Sequence, residues 1–573
     1  MNHLLNSIRN CTRAVPLLAM WSTIVLAQSG DGGGIGRVCG TQWLALRAAQ
    51  LQASQRIIPQ AAKVDGNVQQ PSSIMRVQEI GQIEEITVGT QLSFPISGSP
   101  ILLQATCQHV GENSFVFVED RQWDTNGGSV LQSHVDGIGE LFDRSTPADP
   151  SRGVFELSSE AFGDPPDVDG HQQIFILILD IADPVFIGYF DPAVAGHPVP
   201  ELRRDVIYLD ERAVRRSSYL ARGTLAHEFQ HLIHWGHDPD EESWINEGLS
   251  GYAEELTGFP EADPAAVPAF LTQPDVDFTN WPARAPPAYY GSTYLLSSFL
   301  AERFGKPFIR DLVAQPRNGR FGIDDAFAAG GLGEDFDSAW GQWVVANYVS
   351  GGGHASYSAI GERSSVAFPV DELPLIDAMG EVRGQWGTAT ILFRTPGDLS
   401  IDFVGGDSGR FKVWAYVMRA ETAQLMELDL DGEMRATTTV TNIDSLALIV
   451  GKTSFQGGDY TVSANRPLIT AISERVEAPS LSPQLSAPFP NPFNGAVTIR
   501  FNINARSAEA QLAVYAVNGQ RLRRWPLGNY PAGANEIVWD GRDQRGRTVA
   551  SGTYSIELKV DSGIQRRRLT LLK

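Results

Sequence analysis

Hydrophobic positions follow a mixed pattern between about residue 110 and residue 364. Short runs rich in β-branched and aromatic residues alternate there with stretches of helical period. The runs predict strands at 114–120, 173–181 and 205–210, and the periodic stretches predict helices at 128–143, 224–235 and 292–305. This alternation is typical of an α+β domain, which we place at 111–364.

After residue 365 the helical period fades, and alternating apolar and polar positions take its place. They predict a β-sandwich over 365–465. A linker rich in proline and serine is expected at 466–486, and a last β module at 487–573. The chain is therefore expected to be multidomain, with an α+β domain followed by two β modules.

The first 27 residues have the pattern of a signal peptide. Arg9 and Arg13 precede an apolar stretch at 14–27, and cleavage is expected before Gln28. An N-terminal membrane anchor is the alternative, although this stretch is short for a full span. The mature chain is expected to be exported and to have no transmembrane segment. Residues 28–110 form an N-terminal region that is a candidate propeptide.

Net charge and cysteine content indicate which partners and which cellular compartment suit the chain. A formal net charge of −22 over 573 residues argues against nucleic acid as a general partner, because it repels phosphate backbones. Signal cleavage leaves Cys39 and Cys107, and two cysteines in an exported chain most simply form one disulfide. In the alternative interpretation, Cys39 offers a thiolate to the metal site of a latent precursor.

The helix predicted at 224–235 carries two histidines one turn apart. His227 and His231 therefore point to the same side and converge on one metal ion at ~2.0–2.1 Å. Glu228 lies beside that ion, where its carboxylate accepts a proton from a metal-bound water. Zinc lowers the pKa of such a water to ~7, so this spacing predicts a hydrolytic zinc centre.

Two residues compete to be the third ligand. His237 lies ten residues after the first histidine, as in one class of zinc peptidases, but His234 replaces the glycine that this class requires between them. Glu247 lies in the first turn of a second helix, which we expect to be capped by Ser243 after a turn at 238–240. We favour Glu247 and expect the two later histidines to lie in the loop or around the ligands.

The stretch "HEFQHLIHWGHD…ESWINEGLSGYAEEL" resembles the gluzincin class of zinc metallopeptidases, and most closely the hyicolysin-like family. The resemblance covers about 110–310, through "FGDPPDVDGHQQIFILILDI", "GYFDP" and "AYYGSTYLLSSFLAERFG". It implies a zincin-type catalytic domain in which His227, His231 and Glu247 bind Zn²⁺ and Glu228 is the general base. The implied activity is that of a secreted zinc-dependent endopeptidase, which hydrolyses proteins or peptides through a zinc-bound water.

Two details of the family pattern differ or stay open. Gly251 stands where the thermolysin-type pattern has an acidic residue that orients a histidine, so Glu254 or Glu255 is expected to take that role. Tyr289 and Tyr290 match the position at which related enzymes carry a tyrosine that stabilises the oxyanion. Packing at a helix start is the alternative role for these rings.

The stretch "DPPDVDG" (164–170) contains candidate ligands for a structural Ca²⁺ ion. Asp164, Asp167 and Asp169 offer carboxylates, which are the ligands that calcium prefers. Pro165 stands where the usual calcium loop has an acidic residue, so the match is partial. A solvated turn is the alternative interpretation.

The last module carries motifs of its own, in the order Asn491–Asn494, Trp539–Gly541, Gly552–Tyr554 and the basic run Arg566–Arg568. In this order they resemble the type A sorting domain of the type IX secretion system and the related domain of flagellar hook-capping proteins. The resemblance implies an immunoglobulin-like β-sandwich that outer-membrane secretion machinery recognises. It also implies a secreted or cell-surface protein of a Gram-negative bacterium.

Two other functions compete with the peptidase. An exported zinc-binding adhesin on an inactive peptidase domain would bind zinc but show no hydrolysis that depends on Glu228. A surface protein whose β domains bind carbohydrate or protein would hold no stoichiometric metal. The complete set of His227, Glu228, His231 and Glu247 favours the peptidase.

Overall fold

The computed structural model describes Thr41 and most of the chain from Glu85 to Leu572. Within that span it leaves out 97–101, 182–185, 200–202, 217–218, 261–262, 283, 350–356, 362, 421, 468–483, 487, 489–490, 492, 504–509, 517–518, 528–532 and 561–562. The predicted signal peptide and Cys39 lie outside the described residues. The chain divides into two compact units, Met1–Leu468 and Ile469–Lys573.

A six-stranded mixed sheet lies at the start of the first unit. From edge to edge its strands are β1 (Gln91–Phe94), β2 (Leu103–Val110), β3 (Ser114–Glu119), β4 (Ile174–Leu179), β6 (Val206–Asp210) and β5 (Gly188–Phe190). The strands β3, β4 and β6 run parallel, and their continuous apolar sequences are fully buried, as expected for central strands. The short strand β5 pairs antiparallel with β6 and forms one edge of the sheet.

Helices lie between and after these strands along the chain, and their apolar side chains share one core with one face of the sheet. They are α1 (Gln132–Asp143), α2 (Val154–Phe162), α3 (Pro192–Ala195), α4 (Glu211–Arg215), α5 (Tyr219–His237), α6 (Ser243–Leu256), α7 (Ala266–Thr272), α8 (Pro287–Phe304), α9 (Lys306–Val313), α10 (Arg320–Ala329) and α11 (Phe336–Tyr348). Side chains alternate along β4, so Ile176 joins the core under the helices and Leu177 joins a separate cluster on the other face. None of the described helices combines the length and apolar character that a membrane span requires.

Two further sheets follow the helical region within the same unit. One has the order β13-β10-β15-β8 and the other β12-β11-β14-β9-β7. The strands are β7 (Phe368–Val370), β8 (Leu375–Glu381), β9 (Thr388–Phe393), β10 (Gly397–Gly405), β11 (Phe411–Arg419), β12 (Thr422–Glu427), β13 (Arg435–Ile443), β14 (Ser445–Lys452) and β15 (Asp459–Asn465). They enclose their own apolar core, which includes Phe403, Val413 and Leu448. The indole nitrogen of Trp340 on α11 donates to the carbonyl oxygen of Trp386 at 3.0 Å and joins the two regions.

The second unit is a small immunoglobulin-like β-sandwich. Its sheets have the orders β16-β17-β20 and β19-β18-β21-β22. The strands are β16 (Gln484–Leu485), β17 (Val497–Ile503), β18 (Gln511–Ala516), β19 (Arg521–Pro526), β20 (Gly533–Trp539), β21 (Gly552–Val560) and β22 (Gly563–Leu571). Trp539 is fully buried in its core, against the rings of Phe493 and Tyr554. The expected multidomain class, α+β followed by β-sandwich modules, is confirmed.

The expected disulfide is wrong, because Cys107 on β2 carries a free thiol. Its Sγ atom donates to the carbonyl oxygen of His109 at 3.3 Å. Burial beneath the sheet raises the pKa of this thiol to about 11, so it stays protonated and unreactive at neutral pH. The alternative role of Cys39 as a metal ligand concerns a residue outside the described part of the chain.

Candidate metal centre

The helix α5 presents His227, Glu228 and His231 because its remaining positions are largely apolar. Leu225, Phe229, Leu232 and Ile233 are all fully buried in the core under the sheet. The helix extends further than the predicted 224–235 at both ends, and it stops at His237, just before the predicted turn. Core packing therefore fixes the rotation of α5 and the direction in which the two histidines point.

Glu247 comes from α6, which packs against α5. This helix begins at Ser243 as predicted, but its N-cap residue is Glu242, whose side chain makes no capping hydrogen bond. Gly248 lets α8 approach the helix closely, since a Cβ atom there would lie 2.7 Å from the carbonyl oxygen of Thr293. Any larger residue beside Glu247 would push α6 away from α8 and displace the carboxylate.

The structure brings His227, His231 and Glu247 together, with one ligand atom from each within 4.8 Å of the others. The Nε2 atom of His227 lies 3.3 Å from Oε2 of Glu247, and Nε2 of His231 lies 3.7 Å from Oε1. Adjacent ligand atoms around a tetrahedral zinc ion are about 3.3 Å apart. The separations and the two-nitrogen, one-carboxylate donor set therefore fit a zinc ion.

The surroundings of Glu247 point in the same direction. Its side chain is fully buried, yet neither carboxylate oxygen accepts a hydrogen bond. A buried carboxylate without donors is unfavourable by several kcal/mol unless a cation compensates it. In this geometry a cation bound by Glu247 and the two imidazoles would compensate the buried carboxylate.

Other side chains fix the tautomer and orientation of both histidines. Nδ1 of His227 lies 2.8 Å from Oε1 of Glu254, and a carboxylate only accepts, so Nδ1 carries the proton and Nε2 is left to bind metal. Nδ1 of His231 lies 3.1 Å from Oδ1 of Asn246 and 3.2 Å from Oγ of Ser250. Of the two acids predicted for this role, Glu254 contacts His227, and Glu255 accepts a hydrogen bond from the hydroxyl of Ser298.

Asn246 and Ser250 were not predicted. Each lies within three residues of Glu247 on α6, and that proximity was the signal in the sequence that could have found them. Ser250 also donates to Oε1 of Gln230 at 2.5 Å, which leaves its oxygen able to accept from His231.

The two later histidines of the stretch lie elsewhere. His234 is fully buried, and burial lowers its pKa to about 3, which keeps its ring neutral. His237 forms a 3.0 Å hydrogen bond through Nε2 with the carbonyl oxygen of Asp164, in the loop before β4. The structure therefore groups Glu247, and not His237, with the two histidines of the motif.

Glu228 is buried at the edge of the sheet. Its Oε2 atom accepts a 3.0 Å hydrogen bond from the backbone amide of Phe190, the last residue of β5. It also accepts one of 2.7 Å from the hydroxyl of Thr41, which lies 187 residues earlier in the chain. The carboxylate that follows His227 in the sequence is therefore in contact with a residue of the N-terminal region.

Tyr289 and Tyr290 lie in the first turn of α8. Both rings pack edge-on against Trp281, with ring centroids 5.8 and 5.1 Å apart. Burial raises the pKa of Tyr289, so its phenol stays protonated and able to donate at neutral pH. The choice between the two as oxyanion donor stays a prediction.

Comparison with known proteins identifies part of the C-terminal unit. Residues 491–563 match the FlgD Ig-like domain family. In this module the predicted basic run Arg566–Arg568 is exposed on β22, and Arg566 pairs with Glu557 at 2.8 Å. A C-terminal module of this kind marks a secreted or cell-surface protein of a Gram-negative bacterium.

No curated protein sequence matches the chain. Among solved structures, PorZ of the type IX secretion system of Porphyromonas gingivalis is 21% identical, covers 16% of this chain and 11% of its own, and has a TM-score of 0.12. The pre-peptidase C-terminal domain of a Bacillus anthracis collagenase is 15% identical over 18% of this chain and 98% of its own, with a TM-score of 0.16. FlgD of P. aeruginosa is 25% identical, covers 13% of this chain and 67% of its own, and has a TM-score of 0.12. Each of these likenesses is limited to a small share of this chain.

Proposed function

We propose that the chain is a secreted zinc-dependent endopeptidase whose α+β region is a zincin-type catalytic domain. The observation that carries the proposal is the convergence of His227, His231 and the hydrogen-bond-free carboxylate of Glu247, with Glu228 next to the first ligand. Zinc held there would polarise a substrate carbonyl and lower the pKa of water.

Within this proposal the side chains have distinct tasks. Glu228 takes a proton from the attacking water and later returns it to the leaving amine, since its carboxylate lies one residue from a ligand and is held by the amide of Phe190. Glu254 and Asn246 hold the imidazoles in the tautomer that leaves Nε2 unprotonated. Tyr289 or Tyr290 supplies a donor for the oxyanion.

Thr41 supports the proposal that the chain is made as a latent precursor. Its hydroxyl is buried and donates to the carboxylate that has to accept a proton from water. Strands β1 and β2, although they lie in the predicted 28–110 region, pair within the catalytic sheet. Removal of a propeptide that preserves this sheet and the buried Ile86 of its core would therefore end before Ile86.

The C-terminal unit supports the second part of the proposal, export through outer-membrane secretion machinery. Its match to the FlgD Ig-like family and its exposed arginines at 567 and 568 suit a module that such machinery recognises.

The experiment measures zinc content and casein hydrolysis together, before and after limited proteolysis. We expect about one zinc per chain in the wild type, in Glu228→Gln and in the control Glu140→Gln, which changes an exposed glutamate on α1. Hydrolysis should appear after loss of residues before Ile86 and should fall by roughly 10²- to 10⁴-fold in Glu228→Gln alone. Zinc without hydrolysis in any form would support the zinc-binding adhesin instead.

A further inference from the structure

The loop between α2 and β4 lies beside the residue that precedes β6. Because β4 and β6 are parallel neighbours, with Phe175 opposite Val206, the segments that enter them meet at one end of the sheet. The amide of Phe175 donates to the carbonyl oxygen of Asp205 at 2.8 Å. This pairing brings Asp205 to the "DPPDVDG" loop, although it lies 38 residues after Asp167 and 36 after Asp169 in the sequence.

Asp167, Asp169 and Asp205 converge there, with one carboxylate oxygen from each within 4.8 Å of the others. Backbone amides hold each carboxylate by one oxygen, and these bonds run from Gly170 to Asp167 at 2.7 Å, from His171 to Asp169 at 3.0 Å and from Val168 to Asp205 at 2.7 Å. The loop is therefore folded around its acids, although like charges repel one another.

The second oxygen of the buried acids has no donor. Asp205 is fully buried and its Oδ1 atom accepts no hydrogen bond, and Oδ2 of Asp169 is likewise buried without a donor. The carboxylates of Asp167 and Asp169 lie close to this buried acid, so its surroundings are negatively charged. A solvated turn would not bury a carboxylate oxygen in this way, because the loss of its hydration would not be compensated.

We propose that Asp167, Asp169 and Asp205 form a Ca²⁺ site, separate from the metal centre and independent of the proposed function. All three ligands are oxygens, which suits a hard cation and not zinc. The positive charge of Arg204 near Asp169 only partly offsets the three acids. Asp164, expected as a ligand from the sequence, is not a member of this group.

A cation at this site would stabilise the loop that supports the end of α5. The carbonyl oxygen of Asp164 is bonded to His237 at 3.0 Å. A Cβ atom on Gly236 would lie 2.9 Å from the ring of Pro166, so loop and helix are in close contact. Calcium would thus hold the loop against the last turn of the helix that carries the metal ligands.

The test is a calorimetric titration of calcium chloride into the full chain, from which calcium has first been removed. We expect one calcium per chain with a dissociation constant of about 10⁻⁴ to 10⁻³ M, as in extracellular sites, and a rise in the midpoint of thermal unfolding. Asp205→Asn keeps the acceptor for Val168 and removes the charge, so it should abolish both signals. Asp164→Asn, in the same loop but outside the group, should retain both.

The far-ultraviolet circular dichroism spectrum of Asp205→Asn, expected to match that of the wild type, checks that the variant folds. If it does not fold, Asp167→Asn, which changes an exposed ligand, is titrated in its place and should weaken calcium binding at least tenfold. The proposal is overturned if the wild-type chain shows no calcium binding, or if the folded variant binds calcium as the wild type does. The measured quantities are the heat of calcium binding and the midpoint of thermal unfolding. Failure of the peptidase proposal would therefore leave this result unaffected.

Discussion

The metal centre and the group of Asp167, Asp169 and Asp205, called the acidic loop below, each bring three ligand atoms within 4.8 Å of one another. They differ in their donor atoms and in the groups that orient them. In the metal centre, side chains such as Glu254 and Asn246 orient two buried imidazoles, and the ligands come from two helices. In the acidic loop, backbone amides orient three carboxylates, of which Asp205 is buried and Asp167 is exposed. The comparison teaches that the donor atoms select the ion, and that the supporting structure sets how tightly the ligands are held.

The largest expected difference concerns metal exchange. Treatment of the proteolytically activated chain with 1,10-phenanthroline should abolish casein hydrolysis, because it removes the ion from His227, His231 and Glu247. Added zinc should restore hydrolysis, and added calcium should not, since calcium avoids nitrogen ligands. Recovery with calcium alone would contradict the distinction between the two sites.

The next effect concerns the residue that orients His227. Glu254→Ala removes the acceptor for Nδ1 and should weaken zinc binding by about 10- to 100-fold. The measurement is competition for zinc against a chelator of known affinity. Glu255→Ala changes the neighbouring acid, which accepts a hydrogen bond from the hydroxyl of Ser298, and should leave zinc affinity within about threefold. Equal losses in both variants would mean that general destabilisation of α6 explains the result.

The two sites also differ in how far the sequence predicts them. The apolar spacing and the histidine pair place three residues on one helix, so His227, Glu228 and His231 follow from a local pattern. Glu247 follows from the predicted turn at 238–240 and the second helix expected after it. Asp205 could not be found in this way, because only the parallel pairing of β4 and β6 brings it to the loop.

Long-range contacts explain the other differences between sequence and structure. Thr41 donates a hydrogen bond to Glu228, which lies 187 residues later in the chain, and no local sequence pattern predicts such a contact. Cys107 is buried in the cluster on the other face of the sheet, away from the core that contains α5. Its thiol is free, and the sequence around it did not predict this burial. The predicted domain boundary at 110 stays a prediction, although β1 and β2 pair with the sheet that follows it.

The smallest expected effect concerns the difference in burial between Asp167 and Asp205. Asp167 is exposed and Asp205 is buried, so water can replace the first carboxylate more easily than the second. Calcium affinity should fall by roughly tenfold in Asp167→Asn and by at least a further factor of about ten in Asp205→Asn. Calorimetric titration measures both, and the reverse order would contradict the role given to the buried carboxylate.

The most direct test of the metal centre is the zinc content of two matched variants, Glu247→Gln and His237→Gln, measured by elemental analysis after gel filtration. The two residues were the rival third ligands, and the structure groups only Glu247 with the histidine pair. We expect Glu247→Gln to lose zinc and His237→Gln to retain about one ion per chain. Retention of zinc by Glu247→Gln, with loss from His237→Gln, would contradict the proposed centre.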